Sequence, residues 1–235
     1  MAAAMDAVIF DLDGTLLDTE TLSDQAMLQA LAPPNSTMDL INHTFPQSLK
    51  LQTLGLRSSS WAPLVLNHFA PLFPASAPLS LTSSQLIETW EKNLLSLSLT
   101  AKALPGALQL VQTLHACKIP IAIATSSTKH AVEYKARSNP ALFAAFATIV
   151  TGDHPSVQSG KPAPDIFLEA ARQLSTPATS CVVIEDSLAG CQAGKAAGCY
   201  VIAVPDPTTP ASAMYVQERV GARASWSASE ASISL

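Results

Sequence analysis

Five short apolar runs punctuate the chain, at residues 7–10, 119–125, 147–151, 181–185 and 200–204. Each is rich in Ile, Val and Ala and too short for a helix, which predicts strands buried on both faces. Helix-like patterns precede the last four. Residues 106–117 place Leu108, Val111 and Leu114 on one face. Residues 164–174 do the same with Phe167, Ala170, Ala171 and Leu174, after an Asp165 suited to cap the start. Strands alternating with helices predict an α/β fold, a Rossmann-like parallel sheet of about five strands with helices on both faces. Ligands of such sheets bind outside the carboxyl ends of the strands. Asp11, Thr125, Thr151 and Glu185 all fall there.

Residues 21–103 break the alternation. The interval is far too long for a plain connection, and it carries helical patterns at 22–31, 39–54, 62–69 and 83–97. Pro33-Pro34 and the proline-rich stretch 71–78 separate them. The expectation is an α/β core built from residues 1–20 and 104–221, with a helical cap inserted at 21–103. Tethers at 18–21 and 102–105 would form a hinge, and a hinged lid can exclude water from a reaction site. The alternative, helices that simply pack on the sheet, stays open at this level. A last helix is expected at 214–220, and the Ser/Ala-rich residues 222–235 are expected to be a poorly ordered tail.

Composition narrows the function classes. Of 235 residues, 48% are hydrophobic and 13% charged, ample for a buried core. A net charge of −5 and no cluster of Lys or Arg argue against a nucleic-acid partner. An anionic substrate must then be captured locally. Cys117, Cys181, Cys191 and Cys199 form no CxxC pair and no zinc-like spacing, so buried free thiols in a reducing compartment are expected. The first residues lack the positive charge and apolar core of a signal peptide, and no apolar run reaches the ~20 residues of a membrane span. These readings predict a cytoplasmic monomer acting on a small molecule, with no membrane partner.

The first strand runs into Asp11-Leu-Asp13-Gly14-Thr15. Residues two apart on an extended chain point the same way, so two carboxylates converge and call for a cation, most suitably Mg²⁺. A calcium loop of the EF-hand type would need its glycine at loop position six and a helix before it; here a strand comes first. Three more segments follow at strand ends. Thr125-Ser126-Ser127 offers hydroxyls and helix-start amides for phosphate oxygens. Gly160-Lys161-Pro162-Ala163-Pro164-Asp165 holds a lysine in a loop stiffened by prolines. Glu185-Asp186-Ser187 supplies a second acidic pair. Singly, each has an ordinary explanation as a turn, a cap, a solvated loop lysine or a complement to a helix dipole. Those explanations give no reason for all four to meet at one sheet edge.

In order and spacing these four segments resemble the motifs of the haloacid dehalogenase superfamily of phosphohydrolases, in the subgroup with a helical cap after the first strand. The stretch 185–198, with Gly190, Gly194 and Gly198, also looks like that subgroup's last motif and helix. The resemblance implies that Asp11 is the nucleophile, forming an aspartyl-phosphate, and Asp13 the acid/base. It implies Mg²⁺ on the Asp11 carboxylate, the Asp13 backbone carbonyl and Asp186, with Glu185 as ligand or behind the ligands. Thr125, the Ser126 amide and Lys161 would hold the phosphoryl oxygens.

Residues 151–167 resemble more particularly the pseudouridine 5′-phosphatase group and related glycerol-phosphate phosphatases, except for His154 where those carry an acid. His154 is read as a loop residue. The cap fits less well. Arg57, after Gly55-Leu56, is its best candidate for gripping a substrate. The implied function is Mg²⁺-dependent hydrolysis of a small phosphomonoester such as pseudouridine 5′-phosphate, glycerol 3-phosphate or a similar sugar or polyol phosphate. One alternative is a sugar phosphomutase of the β-phosphoglucomutase kind, which tends to carry a basic residue where this chain has Ser23. Another is a catalytically silent binding protein on the same scaffold.

Overall fold

Strand β1 (Ala7–Phe10) sends Ala7 and Ile9 to one face and Val8 and Phe10 to the other, as a period of two requires. It lies at the centre of the sheet in a computed structural model that describes residues 5–32, 40, 44–53 and 58–205. The other strands are β2 (Ile121–Ala124), β3 (Thr148–Val150), β4 (Cys181–Glu185) and β5 (Tyr200–Ala203). All pairs are parallel, in the order β3-β2-β1-β4-β5. The chain fills one side of β1 and then crosses to the other, which opens a crevice at the carboxyl ends of β1, β2 and β4. Phe10 pairs with both Ile123 and Ile184, so Asp11 and Glu185 emerge at the same level.

The inserted segment forms α1 (Glu20–Leu31), α2 (Gln47–Thr53), α3 (Ser58–Phe69) and α4 (Ser83–Leu97). The core then adds α5 (Ala107–Ala116), α6 (Lys129–Ser138), α7 (Pro140–Phe143), α8 (Asp165–Gln173) and α9 (Leu188–Ala196). On one face of the sheet, Ile166, Phe167, Ala170 and Ala193 of α8 and α9 pack on Ile9, Ala124, Val150 and Val183. On the other, Val111, Val132 and Leu142 of α5, α6 and α7 pack on Phe10, Ile121 and Ile123. Fully burying a side chain such as Phe10 contributes about 1.5–3 kcal/mol.

A third, separate cluster joins the inserted helices through Met27, Leu31, Leu49, Val65, Phe69 and Leu86. These helices therefore have a core of their own, and the fold is a parallel α/β core with an inserted helical cap. The two crossing segments run side by side: Asp18 N donates to Lys102 O and Leu104 N to Leu16 O, both at 2.9 Å.

Several local expectations shift. Within the stretch expected to be helical from 39 to 54, the described helix starts only at Gln47. Residues 44–46 are not helical, and the Pro46 carbonyl accepts from Leu49 N and Lys50 N, so the proline ring sits before the first turn. Asp165 does not cap α8; Pro164 holds that position, and Asp165 Oδ2 accepts instead from the N–H groups of Gln158 and Ser159. Cys117 is exposed, because it lies in the turn that ends α5, whereas Cys181, Cys191 and Cys199 are buried. Pro33-Pro34, Arg57, the helix expected at 214–220 and the tail expected at 222–235 lie outside the described residues. Among the described residues no helix is long and apolar enough to cross a membrane.

Candidate active site

Asp11 extends β1 by one residue, its N–H bonded to Ile184 O at 2.9 Å, and its side chain is buried at the sheet edge. Three residues later Gly14 turns the chain with φ +82°, a conformation that favours glycine. A Cβ there would lie 2.3 Å from Asp186 Oδ2, so the bare glycine also lets Asp186 come up against the first loop. Thr15 Oγ1 donates to Asp186 Oδ1 at 3.0 Å and fixes it there.

Asp11, Glu185 and Asp186 thereby hold carboxylate oxygens within 4.8 Å of one another. Lys161 reaches into the cluster, with Nζ 2.5 Å from Asp11 Oδ1 and 2.7 Å from Glu185 Oε1. Burial works against the Lys161 charge, yet Asp11 and Glu185 outweigh it and raise this lysine above the ordinary range. The carboxylates remain short of positive charge. Burial raises the Asp11 carboxyl well above its usual value, against the pull of Lys161 and with the repulsion of Glu185, Asp186 and Asp13. Burial, then Glu185, pushes Asp186 up to about 7. A hard divalent cation with oxygen ligands fits this donor set and its unbalanced charge.

Glu185 is the most confined of the three. Its Oε1 takes Lys161, and its Oε2 accepts from Ser187 N at 2.5 Å and Ser187 Oγ at 2.9 Å. Gly190 leaves the space for it: a Cβ there would lie 1.6 Å from Glu185 Oε1.

Asp13 is held on the opposite side of the loop. Its Oδ2 accepts from Ser127 Oγ at 2.7 Å and from Thr125 Oγ1 at 3.3 Å. The Thr19 hydroxyl, at the start of the crossing to the cap, also bonds to it. Its Oδ1 takes Nζ of Lys135 at 2.5 Å. Burial raises the Asp13 carboxyl, but Lys135 and the hydroxyls outweigh that and lower it. Sequence reasoning missed Lys135. The available signal was its spacing three residues from Val132, which puts both on the buried face of α6.

The structure thus brings Asp11, Asp13, Thr125, Lys161, Glu185 and Asp186 into one crevice. Ser126 lies on the same loop with its side chain exposed. Thr125 is buried, donating to Asp13 and accepting from Ser127 N at 3.1 Å. His154 stays in its loop, where Nδ1 accepts from Ser156 N at 3.2 Å. In the cap, a cavity of about 200 Å³ is lined by Glu20, Asp24, Phe45, Lys50, Trp61 and Trp90, among others. Among the described residues its cation is Lys50, paired with Glu20 at 3.0 Å and Asp24 at 3.3 Å.

Known proteins resemble this chain over most of its length. A probable pseudouridine-5′-phosphatase of Drosophila melanogaster is 36% identical over 202 residues, covering 85% of this chain and 81% of that protein. The (DL)-glycerol-3-phosphatase 2 of Arabidopsis thaliana is 33% identical over 216 residues, covering 91% and 85%. A crystal structure of a HAD family hydrolase from Deinococcus radiodurans, with bound phosphate and sodium, superposes with a TM-score of 0.67 at 29% identity, covering 88% of this chain and 84% of that one. Residues 5–198 match the family model for haloacid dehalogenase-like hydrolases, and the chain belongs to that family.

Proposed function

We propose that this protein is a Mg²⁺-dependent phosphatase that hydrolyses a small phosphomonoester through an aspartyl-phosphate on Asp11. The observation that carries the reading is the cluster of Asp11, Glu185 and Asp186 around a single buried lysine, at the carboxyl ends of β1 and β4. Such a site is short of positive charge and sits where a parallel sheet binds ligands. Mg²⁺ would be held by the Asp11 carboxylate, the Asp13 backbone carbonyl and Asp186, and would compensate charge on the phosphoryl oxygens. Both Glu185 oxygens are engaged by Lys161 and Ser187, which favours a place behind the ligands.

Asp11 attacks phosphorus through a carboxylate oxygen as the bond to the leaving oxygen breaks, and Asp13 gives that oxygen a proton. The product on Asp11 is a reactive mixed anhydride. Asp13 then takes a proton from the attacking water, phosphate leaves, and the Asp11 carboxylate is restored. Lys161 and the Ser126 amide steady the phosphoryl oxygens, and the Thr125 hydroxyl joins them on exchanging its proton's partner from Asp13 Oδ2 to a phosphoryl oxygen. Residues 21–103 serve as the lid, and their cavity receives the rest of the substrate. Pseudouridine 5′-phosphate and glycerol 3-phosphate, the substrates in the names of the two relatives, are the first candidates.

A panel of phosphomonoesters assayed for phosphate release, with and without Mg²⁺, tests this. Release that needs the metal supports the reading. Transfer of phosphate between sugar carbons without net release would replace it with the mutase, and no turnover of any ester would leave the silent scaffold.

A further inference from the structure

Lys135 is 5% exposed and lies on α6, outside the four segments that carry the proposed chemistry. A buried lysine is costly unless its charge is met. Here it is met by Asp13 Oδ1 at 2.5 Å and by Ser127 Oγ at 2.8 Å, while Ser127 Oγ itself donates to Asp13 Oδ2. The three groups close a ring around one carboxylate, with the ammonium on one oxygen and the hydroxyl on the other. The backbone below is held as well. The Lys135 carbonyl accepts from Asn139 Nδ2 at 3.1 Å and Ser138 Oγ at 3.1 Å. Asn139 Nδ2 also donates to Ala101 O at 2.8 Å, and Ser138 Oγ to Ser98 O at 3.4 Å, both on the segment returning from the cap.

We propose that Lys135 is a positioning residue that aims the Asp13 carboxyl at the leaving oxygen, braced by Asn139 against the returning tether. The inference rests on the phosphatase reading and on Asp13 as its acid. Lys161 meets the nucleophile and Lys135 meets the acid, so the two buried lysines divide the reaction between them. A residue that aims the acid matters most when the leaving oxygen is a poor leaving group. It matters least when that oxygen departs unaided.

The test compares Lys135→Met with wild type on two esters, a nitrophenyl phosphate and an alkyl phosphate such as glycerol 3-phosphate. The expected result is a loss of kcat/KM on the alkyl ester exceeding that on the aryl ester by about tenfold or more, since kcat/KM reports the transfer in which Asp13 gives its proton and not the later hydrolysis common to both esters. Lys135→Arg should restore part of the difference. A structural role alone lowers both rates by the same factor, and equal losses would overturn the proposal, as would unchanged rates. If Lys135→Met fails to fold by circular dichroism, Asn139→Ala takes its place, and it should show the same bias towards loss on the alkyl ester. Absence of Mg²⁺-dependent release from both esters by the wild type would instead remove the phosphatase reading and this proposal with it.

Discussion

Gly190 shows how a residue without a side chain shapes the charge of the site. Its backbone lies where a Cβ would stand 1.6 Å from Glu185 Oε1, and Glu185 in turn holds Lys161. Gly190→Ala must therefore push the carboxylate out of its seat and loosen the lysine that also grips Asp11. The expected outcome is a fall in melting temperature and a loss of kcat larger than that of Ala193→Gly, a change in the same helix away from Glu185. Thermal denaturation and phosphate-release assays on the two variants check it. At this scale much was legible. Asp11, Asp13, Glu185 and Asp186 announce themselves because paired acids at strand ends are unusual in a chain that is 13% charged, and Lys161 because prolines hold it in its loop. Lys135 was not legible in the same way, since its partner Asp13 lies 122 positions away and only the fold joins them. The partners of Lys50, Glu20 and Asp24, are likewise set by the tertiary fold, which a helical pattern does not reveal.

At the scale of elements, strands were easier to place than helix starts. β1 and β4 appear with the expected bounds because a parallel strand buried on both faces must be continuously apolar. Helix starts depend on which group satisfies the first free N–H donors, and that choice is local and subtle. Pro46 and Pro164 decide it for α2 and α8. In α4 the deciding group is Thr82, whose Oγ1 accepts from Gln85 N while Gln85 Oε1 accepts from Thr82 N, a reciprocal cap. Thr82→Ala should cost about 1 kcal/mol of stability. Chemical denaturation measures that cost. The change touches no group of the crevice, so kcat on an aryl phosphate should stay at the wild-type value.

Across the whole molecule, two clusters on the sheet and a third in the inserted helices divide the burial. The division was visible in the sequence as an interruption of the strand–helix alternation. The side-by-side pairing of the two crossings was not, because it needs residues 18 and 102 in space together. The thiols report on the same packing. Cys117 is exposed, whereas Cys181, Cys191 and Cys199 lie in the core, and burial pushes the Cys199 thiol up to about 12. Alkylation followed by mass spectrometry should label Cys117 alone in the native protein and all of the four cysteines in denaturant. The proposed reaction turns on Asp11, one residue beyond the end of β1. Phosphate release measured with Mg²⁺ for wild type and Asp11→Asn, both shown to be folded, tests it most directly. The wild type should turn over, and the variant should fall by about a thousandfold or more. Turnover by Asp11→Asn close to the wild-type rate would contradict the account.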